Sequence, residues 1–422
     1  MRIFAFSVLA SMMSVVNCPG QYKNVAVDAA PGVEGGLSVV INPRNPLNVV
    51  AASAPDKIYL SSDGGSTWQK QKVTSSFGFY GSPVLVCDSK GTFYLIHSSN
   101  SSGKGIENET TMEALVCQVS SDGGKTWDDG SVFGYAPSKD LFSPSATVDP
   151  KGNLRVAWIQ SDRFGSDDKT CRSAVMISSS SNGKKWTKPV ELSQSPGDCA
   201  NGDSTIVGAS VDAGDKKMYV AWRNAGKIFL DRSFDEGGMW LSNDIRVENQ
   251  LDVNVPGRNI FEGLPVLKAD MTKSERRGLL YMTWADSRNG NSDADVWFIR
   301  SHNYGDIWTP FRRVNNDTTK NHQYNPVMAF DNVSGFIYIL YYDKNRDSGE
   351  TEVYLAYSRS SGNSFRNIKI SDQSFMPGQP YFGSLLSIAA YNGNIIPVWI
   401  RQDGDQTSLM STSVIKESTL PR

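Results

Sequence analysis

After residue 30 the chain alternates short apolar runs with polar, glycine-rich turns, and the alternation recurs in the same order. One run is led by a glycine or lysine turn and ends in an aromatic residue: "GNLRVAWIQ" with Trp158, "KKMYVAWRN" with Trp222, "GLLYMTWAD" with Trp284, "GFIYILYYD" with Tyr342. Upstream of four of the repeat units lies a run from a proline to an aspartate five residues on: Pro83 to Asp88, Pro144 to Asp149, Pro265 to Asp270, Pro326 to Asp331. A third run follows ("DVWFIRS", "EVYLAYS"), then a short fourth ("FRRVNN"). Runs of this length, alternating or continuously apolar, predict strands, and each unit predicts four of them.

The third run leads into one turn written six times: "SSDGGSTW" from Ser61 to Trp68, then copies ending at Trp127, Trp186, Trp240, Trp308 and Phe365. Aligned on these copies, the turn serines are Ser61, Ser120, Ser179, Ser233, Ser301 and Ser358, a stride that suits a four-stranded propeller blade with its loops. The C-terminal stretch supplies three strands of a further unit, with Trp399, and no turn copy. "YKNVAVDA" near the N-terminus is a spare strand that completes this last unit and leaves no open edge. The fold class is therefore all-β: a closed propeller of seven four-stranded antiparallel blades, spanning about residues 22–414, with six blades as the alternative count. The turn itself predicts a hairpin staple. Asp63, Asp122, Asp235 and Asn303 accept hydrogen bonds from their own turn's backbone, glycine takes a positive φ, and Trp68, Trp127, Trp186, Trp240 and Trp308 cover apolar surface. In this alignment Ser181 and Ser360 stand where the carboxylate falls in the third and sixth copies, which a turn tolerates better than a cation site does.

The first twenty residues break the pattern. Arg2 precedes a run of about fourteen mostly apolar residues, a signal-peptide length, so residues 1–20 are expected to be cleaved and residues 21–422 to form one domain. Lipid anchoring at Cys18 is the alternative. No other segment is apolar enough to span a bilayer, so the chain is expected to be secreted or attached at the cell surface. Cys87, Cys117, Cys171 and Cys199 then allow two disulfides, or remain as buried thiols. The 422 residues carry a net charge of −2 with Lys and Arg scattered, which argues against a nucleic-acid footprint. Three histidines without close spacing argue against a histidine metal site, and the oxygen-rich "NGNSDAD" lacks EF-hand spacing. No metal and no cofactor is expected, and the chain is expected to be a monomer.

The turn resembles the Asp-box, or BNR, repeat of the sialidase-like propeller superfamily, and the tail resembles the extracellular bacterial type. The copies at Ser61–Trp68, Ser120–Trp127 and Ser233–Trp240 match the consensus fully, and the resemblance covers nearly the whole chain after residue 20. It implies a site on the face opposite these turns, built from loops between second and third strands and between blades. Residues available there include Asp140, Asp203, Arg223, Asp286, Arg288, Asp293, Asp295, His322, Tyr324, Asp343, Arg346, Arg401 and Asp403. The family's chemistry implies three arginines for a substrate carboxylate, a Tyr–Glu nucleophile and an acid/base Asp. The candidates for such a clamp, by another geometry, are Arg223, Arg258, Arg288 and Arg401, and the candidate catalytic groups, chosen from their place in the loops, are Glu262, Tyr381 and Asp286. The first strand, "EGGLSVVINP", carries no arginine where the family has an RIP-type motif. The expected function is recognition of a glycan or glycoprotein, with hydrolysis by a glycoside-hydrolase mechanism as an extension. The alternative is a non-catalytic scaffold binding a cell-surface protein.

Overall fold

The computed structural model describes residues 22–29, 36–100, 112–200, 202–253, 255, 263–376, 385–403 and 406–421. Seven antiparallel sheets form the blades of a closed propeller, six of them four-stranded in simple meander order. Their innermost strands are Ser38–Ile41, Tyr80–Cys87, Asp140–Val148, Val207–Gly214, Val266–Ala269, His322–Asp331 and Leu386–Tyr391. In the seventh blade the N-terminal strand Asn24–Asp28 is the outermost, paired antiparallel with Gln406–Thr412. Asp28 then ties this strand to blade one, accepting from the Tyr59 hydroxyl (2.9 Å) and pairing with Lys70 (2.7 Å). A short strand past the expected boundary, Ile415–Lys416, adds to the second strand of the same blade.

The apolar runs bury themselves between neighbouring blades. Trp158, Trp222, Trp284 and Trp399, at the same place in four second strands, are all fully buried. At about 25 cal/mol per Å² and ~200 Å² each, every one is worth ~5 kcal/mol before the entropy of ordering it. Nearer the axis the blades are joined by serines. Ser387, Ser38, Ser145 and Ser210 each accept a hydrogen bond from the next blade's inner strand, at Val39, Leu85, Val211 and Leu267 (2.9–3.1 Å).

Three expectations are corrected. The inner strands do not begin at the prolines in blades two, three and six: they begin three or four residues earlier, and Pro83, Pro144 and Pro326 sit at a register shift within the strand. A bulge tolerates a residue without an N–H. Ser143 and Asn325, just before two of these prolines, take φ of +49° and +55°. The third turn is one residue shorter than its copies, so its serine is Ser180 rather than Ser179, and Asn182, not Ser181, does the carboxylate's work. Of the four cysteines, Cys171 and Cys199 are disulfide-bonded, whereas Cys87 and Cys117 are free thiols whose pKa burial raises.

The six turns share one set of bonds. The serine hydroxyl accepts from a glycine N–H in every copy: Gly65, Gly124, Gly183, Gly237, Gly305 and Gly362 (2.7–3.0 Å). The side chain two residues after the serine accepts from a later backbone N–H, whether it is Asp63, Asp122, Asn182, Asp235, Asn303 or Ser360. Trp68, Trp127 and Trp308 donate to the turn glycine's carbonyl at 3.0 Å, and Trp186 donates instead to Ser131. Some of these glycines also lie against the preceding blade: a Cβ on Gly124, whose φ is +88°, meets Val50 and Leu60 at 2.8 Å. The shared bonds staple each hairpin between third and fourth strands, as the turn chemistry predicts.

Candidate functional site

The loops between second and third strands open on the face away from these turns. The clearest cluster there lies at blade four. Arg223 ends the strand Lys217–Asn224, and its guanidinium is almost wholly buried. One nitrogen, Nη2, donates to Asp203 from the loop before the blade and to Asp252 (3.0 Å) from the loop after it. Nη1 is buried with no hydrogen-bond partner. Both carboxylates are about half exposed. They titrate in opposite directions: the hydrogen bond from Arg223 holds Asp203 low, whereas burial, followed by the charge of Asp203, pushes Asp252 up. Two carboxylates on one guanidinium, one kept ionised and one inclined to hold its proton, can accept from hydroxyls and can exchange a proton.

The next seam carries Asp286 and Arg288. Asp286 is fully buried at the end of Leu280–Asp286. Its oxygens accept from Trp284 Nε1 (3.0 Å), Leu251 N (3.3 Å) and, in bidentate fashion, Arg288 Nε and Nη2 (2.9 and 2.7 Å). Arg288 is sandwiched by rings, 4.3 Å from the Phe311 centroid and 5.2 Å from that of Trp297. This pair closes on itself and leaves no oxygen facing solvent.

Between blades five and six a side-chain chain runs inward. Asn315 donates to Asp295 (2.6 Å) and to Gln323 Oε1 (2.7 Å), and Gln323 donates to Asp343 (2.8 Å), which also accepts from Asn321 (3.0 Å). Burial dominates at Asp343 and pushes its carboxyl up to about 6, against the opposing hydrogen bonds of Gln323 and Asn321. His322 and Tyr324, from the same inner strand, are buried.

The sequence-derived candidates are therefore dispersed. Arg223 and Arg288 stand at adjoining seams, linked through the Asp252 loop, whose carbonyl accepts from Ser287 N (3.2 Å). Arg401 stands on blade seven, 2.8 Å from Gln373 and 3.9 Å from Asp372. Glu262, Tyr381 and Arg258 lie outside the described residues. Asp140 holds loop backbone, accepting from Met112 and Phe164 (3.1 and 2.9 Å). Sequence reasoning passed over Asp252, Asn315, Asn321 and Gln323. The one signal for Asp252 was an acidic residue in an inter-blade loop, a signal that many solvated positions share. Among the described residues no three His, Cys, Asp or Glu side chains come together as metal ligands, and no helix is long and apolar enough to cross a membrane.

Fold and rim together define a seven-bladed propeller with a charged loop face. Solved structures of similar fold include an α-L-arabinanase of Penicillium chrysogenum complexed with arabinobiose, 13% identical over 94% of this chain and 99% of that one, with a TM-score of 0.50. A GH93 α-L-arabinofuranosidase of Fusarium graminearum in complex with arabinobiose is 12% identical over 94% and 99%, also at 0.50. A microbial sialidase overlays at 0.47, 12% identical over 89% of this chain and 74% of its own. At such identities the likeness is one of fold. No protein-family model and no curated protein matches the chain.

Proposed function

We propose that the chain is a secreted or surface-attached propeller that binds a glycan on its loop face, centred on Asp203, Arg223 and Asp252, and that this glycan is neutral. The observation that carries the reading is the pairing of the arginines. Arg223 is shared by two aspartates, Arg288 is closed on Asp286, and Arg401 has Asp372 beside it. Guanidiniums already neutralised by the protein's own carboxylates are poor partners for a substrate carboxylate. The half-exposed oxygens of Asp203 and Asp252 are acceptors for sugar hydroxyls, and the fold is the one seen in the arabinan-acting neighbours. Residues 1–20 and the Cys171–Cys199 disulfide fit an oxidising compartment.

The opposite titration of Asp203 and Asp252 favours hydrolysis as a second reading, with Asp252 as proton donor and Asp203 as its ionised partner. Asp286, with both oxygens engaged, takes no part in it. A glycan array of neutral and acidic oligosaccharides, read with wild type, Asp203→Asn and Asp252→Asn, tests both. Binding of neutral glycans that Asp203→Asn abolishes is the expected result. Release of reducing sugar that falls about 10²-fold or more in Asp252→Asn supports hydrolysis. Binding confined to acidic glycans overturns the neutral-glycan reading, and binding to none overturns the proposal and leaves the protein-binding scaffold.

A further inference from the structure

The third strand of blade four holds a carboxylate where its sister blades do not. Two residues before the turn serine stand Tyr59, Gln118, Ser178, Asp231, Ile299 and Ala356, and all six side chains are buried. Five blades fill this place with a neutral residue, so the repeat does not require Asp231. Its Oδ1 accepts from Leu241 N (3.0 Å) and from Arg232 N (2.6 Å). Its Oδ2 is buried and has no hydrogen-bond partner. A second carboxylate of the same blade, Asp244, stands just before its fourth strand, Ile245–Asn249. Asp244 Oδ2 accepts from Gln194 N (3.0 Å), while its Oδ1 is also buried and unpartnered. Gln194, from the loop after blade three, donates its side-chain amide to Leu241 O (3.1 Å) and to Leu192 O (2.7 Å). Asp231, Leu241, Gln194 and Asp244 are thus joined in a chain of hydrogen bonds that ends in two carboxylates, each with one open oxygen. The nearby guanidinium of Arg232 is directed elsewhere, to Asp306 (2.6 Å) and Tyr304 O (2.7 Å).

Two buried carboxylate oxygens without partners need a positive partner. From this arrangement we infer a binding site for a hard divalent cation of the calcium type at the seam of blades three and four, with Asp231 Oδ2 and Asp244 Oδ1 as its anionic ligands. Calcium takes carboxylate, amide and backbone oxygens in flexible geometry, and the Leu241 carbonyl and the Gln194 side chain belong to the same hydrogen-bonded chain. The competing occupant is a proton shared between the two.

The site is far from the loop-face chemistry in its logic, so its test is independent of the glycan proposal. Full-length protein is stripped with EDTA and titrated with Ca²⁺, with Mg²⁺ in parallel, by calorimetry and thermal melting at pH 7.5. The expected result is one bound Ca²⁺ per chain and a rise in Tm, with affinity at least tenfold weaker in Asp231→Asn and in Asp244→Asn. Asp231→Gln is the control for folding, because Gln118 occupies the same place in blade two: it is expected to fold and to lose the Ca²⁺ response. No Ca²⁺ or Mg²⁺ binding by wild type, or binding that both Asn variants retain, overturns the inference. A wild-type Tm that ignores both metals but rises as pH falls from 7 to 5 assigns the two carboxylates to a shared proton and overturns the inference as well.

Discussion

On one face of the ring, six turns repeat the same serine-to-glycine hydrogen bond within a few tenths of an ångström. On the other, the described loops follow no common pattern of charge, and buried carboxylates such as Asp343 sit at displaced pKa values. The first face tolerates exchange of the acceptor, Asp for Asn for Ser, because any short side-chain oxygen completes the turn. The second places single groups, such as Arg223 between Asp203 and Asp252, for which no equivalent position offers a substitute. Repetition marks the side that holds the blades together, and irregularity marks the side available for recognition.

This contrast can be broken at several points. Removing Asn24–Asp28 damages both faces together, because it strips the outer strand of blade seven and the Asp28 tie to Tyr59 and Lys70. A loss of about 5 kcal/mol, or aggregation through the exposed edge, is expected in urea unfolding. An unchanged midpoint means that the ring does not depend on this closure. Gly124→Ala acts on the turn face alone. The added Cβ meets Val50 and Leu60 at a positive φ, and stability is expected to fall by about 2–3 kcal/mol with glycan binding retained in the folded fraction. Loss of binding in folded protein reverses the assignment of faces.

Asp122 offers a finer test. Asp122→Ala is expected to cost about 1 kcal/mol, and Asp122→Asn less than about 0.5, because Asn182 and Asn303 already perform this role. Its carboxyl is held down, to about 2, by hydrogen bonds from its own turn, Thr126 foremost, which outweigh the opposing desolvation. A lowered folded-state pKa gives stability that is present above the unfolded value near 4 and lost as pH falls toward 2. Acid unfolding curves of wild type and Asp122→Asn should therefore diverge only in that window. Equal costs for Ala and Asn contradict the turn bond. On the loop face the sign inverts. Asp343, raised to about 6, contributes stability below pH 4 that is lost as pH rises through 6. Asp343→Asn should flatten stability between pH 4 and 6, while changing it by less than about 1 kcal/mol at pH 5. A pH profile identical to wild type places the titration elsewhere.

The propeller, its seven blades and its N-terminal closing strand were legible in the chain because repeated turns and strand periodicity are local signals, and a closed ring leaves no edge unpaired. The turn's function was legible for the same reason, since its serine-to-glycine and acceptor-to-backbone bonds run between near neighbours in the chain, and of the tryptophans only Trp186 reaches outside its own turn, to Ser131. What local signals carry stops there. The shortened third turn moved the acceptor from Ser181 to Asn182, a slip visible only once the bonds are drawn. Nothing in sequence marked which two of four cysteines meet, because Cys171 and Cys199 are brought together by loops of adjoining blades. Nor did it reveal that Arg223, Arg288 and Arg401 face aspartates rather than one another: Arg223 and Asp252 are 29 residues apart, and their meeting depends on how two blades pack. Composition and periodicity determined the scaffold. Tertiary packing alone decided which charges are spent on one another and which keep oxygens open to solvent, because desolvation and pairing are properties of the assembled seams.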